Sequence, residues 1–263
     1  TTGEANTAVG LGALDANTTA DKNTAVGYTA LTTNSTGEGN TGLGWQSLYA
    51  NTTGSDNTSV GRNALGSNTT GTRNTAVGTN SLDAAASAND NSAFGYYALT
   101  ANTTGVDNCA FGANTLDANT EGHRNCAFGF QALTANTTAL DNTAIGHKAL
   151  MANTTGAQNV ALGGWSLNYN TTASYNTATG YSALELNTTG ANNTAVGWKA
   201  LEANTTASNN TAVGYGALQL NTTGDSNTAI GKSAGYGITT GNYNTALGRS
   251  TLTGTCTGAS NTG

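Results

Sequence analysis

Proline does not occur in these 263 residues, and charged residues make up only 8% of them. So low a charge is not that of a charged, disordered chain, and the excess of Asn, Thr, Ala and Gly is not that of an average globular core. Eight scattered Lys and Arg in a chain of net charge −6 cannot build the basic stripe that phosphate neutralisation needs, which argues against nucleic acid as a partner. No apolar run approaches the roughly 20 residues of a membrane span, so insertion into a bilayer is not expected. Three cysteines, Cys109, Cys126 and Cys256, are too few for a disulfide scaffold, and their spacing matches no zinc signature. Two histidines, His123 and His147, have no nucleophile or acid arranged around them. The chain is therefore expected not to be an enzyme, and to need no cofactor and no metal.

What is present is a repeat. Asn-Thr-Ala-Val-Gly begins at Asn6 and returns, with substitutions, every 17 residues from Asn23 to Asn244, with a last partial copy at Asn261. The consensus is N-T-A-V-G-Y-x-A-L-x-x-N-T-T-G-x-x, numbered here from that Asn as column one. The fifth-column Gly never changes, and the ninth-column Leu fails once, at Gly235. The fourth column is bulky and apolar (Val9, Leu43, Phe94, Ile145), with Thr179 the polar exception. The chain opens and stops in mid-repeat, so it reads as one array of about 15 coils spanning residues 1–263, a fragment of a longer fibrous protein.

Seventeen residues are too few for two-helix repeats, and the fixed Gly and the Thr/Asn runs disfavour helix. The pattern predicts an all-β, parallel β-solenoid, or β-roll. The stretches T-A-V, Y-x-A-L and N-T-T are expected as short strands joined by tight turns. Coils stacked about 4.8 Å apart would give an elongated rod of roughly 70 Å. Identical Asn residues would then form amide ladders, and the invariant Gly would supply a positive φ at a corner.

Alternation along a strand places Ala8 and Val9 on opposite faces, and the same reading separates Ala13 from Leu14. Both faces would be apolar, and a strand apolar on both faces is usually buried on both. Since one thin coil can cover only one of them, the other is expected to meet further copies of the chain. The simplest arrangement is a homotrimer around one axis, or a filament.

The string at Asn23 to Asn40, and again at Asn210 to Asn227, resembles the repeat arrays of bacterial and phage tail-fibre-domain proteins. Those often carry a C-terminal intramolecular chaperone of the endosialidase type, which is not found here. More distantly, the N-x-A-V/I-G core is similar to the head repeats of trimeric autotransporter adhesins, whose coils are usually shorter. The resemblance covers essentially the whole chain. It implies a left-handed roll and a homotrimer at an extracellular, cell-surface or virion-surface location. The function expected is that of a structural repeat shaft of a fibre or adhesin.

The alternative is a ligand-binding solenoid surface, for host-surface glycans or ice. The sixth column carries Tyr28, Trp45, Tyr96, Phe130, Tyr181, Trp198 and Tyr215, amphipathic rings suited to glycan contact or to an interface. Thr-rich columns raise ice binding, but a strict T-x-T ladder is absent from N-T-T. Eleven N-glycosylation sequons recur in the twelfth column, at Asn17, Asn34, Asn51, Asn68, Asn102, Asn136, Asn153, Asn170, Asn187, Asn204 and Asn221. Coils about 4.8 Å apart leave no room for a sugar chain on each, so a ladder or turn role is the simpler reading. Acids in the tenth column (Asp15, Asp83, Asp117, Glu185, Glu202) read as solvated charge, and those before the motif (Asp56, Asp90, Asp107, Asp141) as turn residues. Glycine/aspartate spacing of the calcium β-roll kind never occurs, and the five-residue step from Val9 to Leu14 does not fit hexapeptide acyltransferases.

Overall fold

A computed structural model describes residues 2–263. Its contacts divide the chain into two compact units, Thr1–Phe130 and Gln131–Gly263. The first carries eight strands, from β1 (Thr7–Val9) to β8 (Cys126–Phe128). The second carries seven, from β9 (Thr143–Ile145) to β15 (Thr245–Leu247). Every strand is three residues long, no helix occurs among the described residues, and one strand falls in each 17-residue coil. Inside each unit neighbouring strands pair in parallel and in perfect register: Thr7 with Thr24 and Val9 with Val26, Thr211 with Thr228 and Val213 with Ile230. Each unit is thus a parallel β-solenoid.

The expected Y-x-A-L and N-T-T strands are not there; both stretches are turns. The reason is backbone conformation. The seventh and ninth columns sit at positive φ in coil after coil, for example Gln46 at 56° and Leu48 at 51°, as does the last column, where Asp56 has φ 59°. Left-handed residues bend the chain so tightly that no strand can form, and for non-Gly residues they are uncommon and strained. Turn segments nonetheless ladder like strands. The Leu48 N–H donates to the Ala64 carbonyl at 3.0 Å, and the Ala50 N–H to the Gly66 carbonyl at 3.0 Å, each in the next coil. Such bonds offset the conformational cost by leaving few backbone groups unpaired.

Column by column, the interior follows. The strand's middle residue points in and is fully buried (Ala25, Ala76, Ala195), while its neighbours face out, as alternation requires. The eighth and ninth columns both point in: Ala64 and Leu65, Ala200 and Leu201 are all fully buried. The expectation that Ala13 and Leu14 lie on opposite faces is therefore corrected, because period-two alternation holds only in an extended strand and this segment turns. The invariant fifth-column Gly has φ near 133° at Gly61, Gly180 and Gly214, well beyond what a side chain tolerates. A Cβ on Gly61 would also stand 2.6 Å from the Gly78 carbonyl oxygen of the next coil.

Asn ladders complete the interior. In column one, the Asn40 N–H donates to Asn23 Oδ1 at 2.9 Å, and the Asn57 N–H to Asn40 Oδ1 at 3.0 Å. In column twelve, Asn51 Nδ2 donates to Asn34 Oδ1 at 2.7 Å, and Asn204 Nδ2 to Asn187 Oδ1 at 2.8 Å. Both columns also converge on one carbonyl per coil: Asn23 Nδ2 and Asn34 Nδ2 each donate to the Gly37 oxygen at 2.9 Å. Ala85 and Ile238 interrupt column twelve, and the preceding oxygens, Asn68 Oδ1 and Asn221 Oδ1, are buried without a partner.

Ile238 is more than an interruption. Its coil has Gly235 where every other coil has Leu, and Ile238 is fully buried. A Cβ on Gly235 would stand 3.2 Å from Ile238 Cδ1, so the isoleucine fills space that the missing leucine vacates. Gly235→Leu alone should overpack and destabilise by about 1–3 kcal/mol. Ile238→Asn alone should leave a cavity, at about 2–5 kcal/mol. The double variant restores the consensus, and denaturant titrations of the four proteins should give a coupling energy of about 1–3 kcal/mol in its favour. Additive losses would mean that the two sites are independent.

Thr29 combines two local costs: a β-branched residue at φ 51° and a hydroxyl buried without a partner. Gly occupies the same column at Gly12 and Gly216. Thr29→Gly should therefore stabilise the chain by about 1 kcal/mol, net of the extra freedom glycine brings to the unfolded state. A lower midpoint than the parent would contradict this account.

Candidate functional site

The outward side of the strands is the most regular surface of each unit. Its two columns are the first and third strand residues, Thr-x-Val in consensus, with side chains half-buried or exposed. No charged residue occupies either position in any of the fifteen strands. Charges lie on the turns instead. Lys199 Nζ pairs with Glu202 at 2.8 Å, and Arg73 Nε with Asp90 at 2.6 Å. Ile145, Val196, Ile230 and Leu247 are among the exposed large apolar side chains, Leu247 at 54%. Three phenylalanines stack on this face of the first unit, Phe94 on Phe111 at 4.4 Å and Phe111 on Phe128 at 4.7 Å between centroids.

All seven sixth-column aromatics, Tyr28, Trp45, Tyr96, Phe130, Tyr181, Trp198 and Tyr215, are exposed. Trp198 and Tyr215 stack at 4.5 Å and 13°, with Lys199 Nζ 4.8 Å from the Trp198 centroid and Lys232 Nζ 5.4 Å from that of Tyr215. Stacking turns ring faces toward the neighbouring coil. In this pair one face of each ring is covered by the other ring.

Of the sequon asparagines, Asn17 is half-buried, and the ten from Asn34 to Asn221 are fully buried, their amide nitrogens donating inside the coil. A glycan on any of those ten would require the amide to leave its ladder. The thirteenth-column Thr is bound as well, Thr52 Oγ1 donating to the Thr69 carbonyl at 3.0 Å, whereas the fourteenth column (Thr36, Thr53, Thr189) is exposed. In those ten coils the Asn of N-T-T therefore points inward, and the segment presents no outward pair separated by one residue, on which an ice face would depend.

Candidate catalytic groups do not come together. His123 Nδ1 accepts from the Val106 N–H at 3.0 Å, and the His147 ring lies against Trp165 at 5.5 Å. Among the described residues no three His, Cys, Asp or Glu side chains are grouped as metal ligands. Asp56, Asp90, Asp107 and Asp141 all sit at φ near 60°, in turns. A shallow polar hollow lies above Gly66, lined by Gln46, Tyr49, Asn63, Ser67 and Asp83. The sequence shows only that Gly66 interrupts the acidic column; that its missing side chain opens a hollow beside Asp83 requires the stacked coils.

Burial raises the pKa of Asp83, opposed by a hydrogen bond from Gly66, and raises that of Asp117. Cys109 and Cys126 are free and half-buried, and burial likewise pushes both thiols up. No family model, curated protein or solved structure matches the chain.

An acid whose folded pKa lies above its unfolded value binds its proton more tightly when folded. Its ionisation then costs stability, and that cost appears as pH rises through the two values. Asp117→Asn should therefore raise the thermal midpoint at pH 7. The gain should vanish at pH 3, below the ordinary carboxylate range. An equal gain at both pH values would show that the substitution acts through packing and not through charge.

Proposed function

We propose that the chain is a structural repeat shaft of an extracellular fibre or adhesin, self-associating through the outward strand face into a trimer or filament. The carrying observation is that this face bears no charge in any coil while keeping an apolar column at the surface. Proteins that stay apart place charges on flat strand surfaces and edges to prevent association. Here they are confined to the turns. A second copy of the same face is a complementary occupant, since its Thr and aliphatic columns have the same spacing. Association would also be cumulative, because nearest-neighbour terms add along a repeat array. The resemblance of the repeat to tail-fibre arrays supports a cell-surface or virion-surface setting.

A second reading draws on the same face. Rows of Thr beside aliphatic residues, repeating about every 4.8 Å along the stack, form an ordered surface of hydroxyls and methyls. That is the kind of array on which water can be held in a lattice, as ice binding requires. The varied fourth column, Phe in some coils and Val in others, makes it less even than such a surface should be.

Sedimentation velocity at micromolar concentration should give a species of at least three chains. Ile230→Lys with Val196→Lys should lower the association constant at least about tenfold, since each places a charge in a desolvated contact. Neither side chain belongs to the interior, so the circular dichroism spectrum and the melting midpoint of the dissociated chain should be preserved. A stable 26.1 kDa monomer would overturn the proposal. Thermal hysteresis with shaped ice crystals from that monomer would favour the second reading.

A further inference from the structure

We propose that Cys109 and Cys126 form a two-coordinate site for a soft monovalent d10 cation, of the Cu(I) or Ag(I) class, held as a sulfur–metal–sulfur bridge between successive coils. β7 (Cys109–Phe111) and β8 pair in parallel with Cys109 directly opposite Cys126. Both are first residues of their strands and lie on the outward face. Elsewhere this column carries Thr, apart from Ser92 and Val160, so the thiol pair is a local departure from the repeat.

Geometry separates the possible products. Equivalent Cβ atoms on adjacent parallel strands repeat at about 4.8 Å. A disulfide needs its Cβ atoms about 3.5–4.5 Å apart with their vectors converging. Stacked coils keep those vectors parallel, and the inter-coil hydrogen bonds hold the spacing. One atom between the sulfurs removes the mismatch. Two metal–thiolate bonds of the order of the zinc–sulfur length, about 2.3 Å, placed in line span about 4.6 Å, close to the coil repeat. Both cysteines are free, with no disulfide between them.

Ligand chemistry selects the cation. Zinc would need four ligands, and among the described residues no third His, Cys, Asp or Glu joins the pair. Soft thiolates select soft d10 cations, and two-coordinate linear binding is ordinary for Cu(I) and Ag(I). The stacked rings of Phe94, Phe111 and Phe128 stand two residues along on the same face and limit competition from water. Binding balances without redox change: two thiols each release a proton, two metal–sulfur bonds form, and the bridge carries one net negative charge. Both ligands come from adjacent strands of one chain, so a single chain can form the site.

The test uses the full chain with Cys256→Ser, which leaves the pair as the only thiols, under anaerobic conditions. Titration with Ag(I) against a competing chelator should show one cation retained per chain and two protons released. Cys126→Thr, which restores the column's usual residue and so preserves the coil, should weaken retention at least about a hundredfold. Sulfur-edge X-ray absorption should report two thiolates on one metal. Two cations bound per chain, unchanged retention in Cys126→Thr, or no retention by the parent would each overturn the proposal.

Discussion

Everything in each unit depends on one constraint: backbone donors must find their acceptors in the adjacent coil. The Thr58 N–H reaches the Asn74 carbonyl at 2.8 Å, and the Leu65 N–H the Ser81 carbonyl at 3.0 Å, each sixteen residues on. A residue gained or lost within a coil would put the bonds that span it out of register with the adjacent coils, in keeping with the unvarying period of 17. It also fixes which residues can stand inside. Side chains of one column meet their own kind above and below, so each column must hold a residue that packs well against itself. Ala and Leu satisfy this by shape. Asn satisfies it chemically, because a primary amide is both donor and acceptor.

Polar and apolar interiors are divided accordingly. Two amides from columns one and twelve meet on the column-fifteen carbonyl, and the third and eighth columns are filled by small residues beside the ninth-column leucine. Departures from the pattern occur where neighbours compensate. Ser47 and Ser59 replace two inward alanines together, and Ser47 Oγ donates to Ser59 Oγ at 2.7 Å while Ser59 Oγ donates to the Ala64 carbonyl at 2.7 Å. Such pairs are tolerated because a buried hydroxyl costs little once it is bonded. Where compensation is lacking, as at Asn68 beside Ala85, an acceptor stays orphaned.

Outside, the same stacking that builds the ladders aligns whatever the strand face carries. Thr, aliphatic residues, phenylalanine rings and one pair of thiols all fall into rows there because their columns face away from the interior. The outward columns are therefore the ones that the backbone constraint leaves free to vary. The aromatic turn column shows the limit of reading such a surface by residue type. Trp198 and Tyr215 look like ring faces open to sugar, yet they lie on each other.

The period, the coil, the opposite faces of Ala and Val in T-A-V, the Asn ladders and the positive φ of the fixed Gly were all legible in the sequence, since each follows from local chemistry repeated at one spacing; that the alanine is the inward one was decided by the structure. Propensity misread Y-x-A-L, because Leu48 and Leu65 adopt left-handed conformations that no isolated leucine favours. Only burial of the side chain and inter-coil hydrogen bonding outweigh that cost, and both exist only once coils stack. The same holds for Ile238. Sequence shows Gly235 and Ile238 as two irregularities three residues apart, and packing makes them one exchange of volume. Sequence alone thus determined the repeat and what it must bond to. Tertiary structure decided where the chain bends and which faces are left for other molecules, because those depend on distances between coils rather than on the order of residues within one.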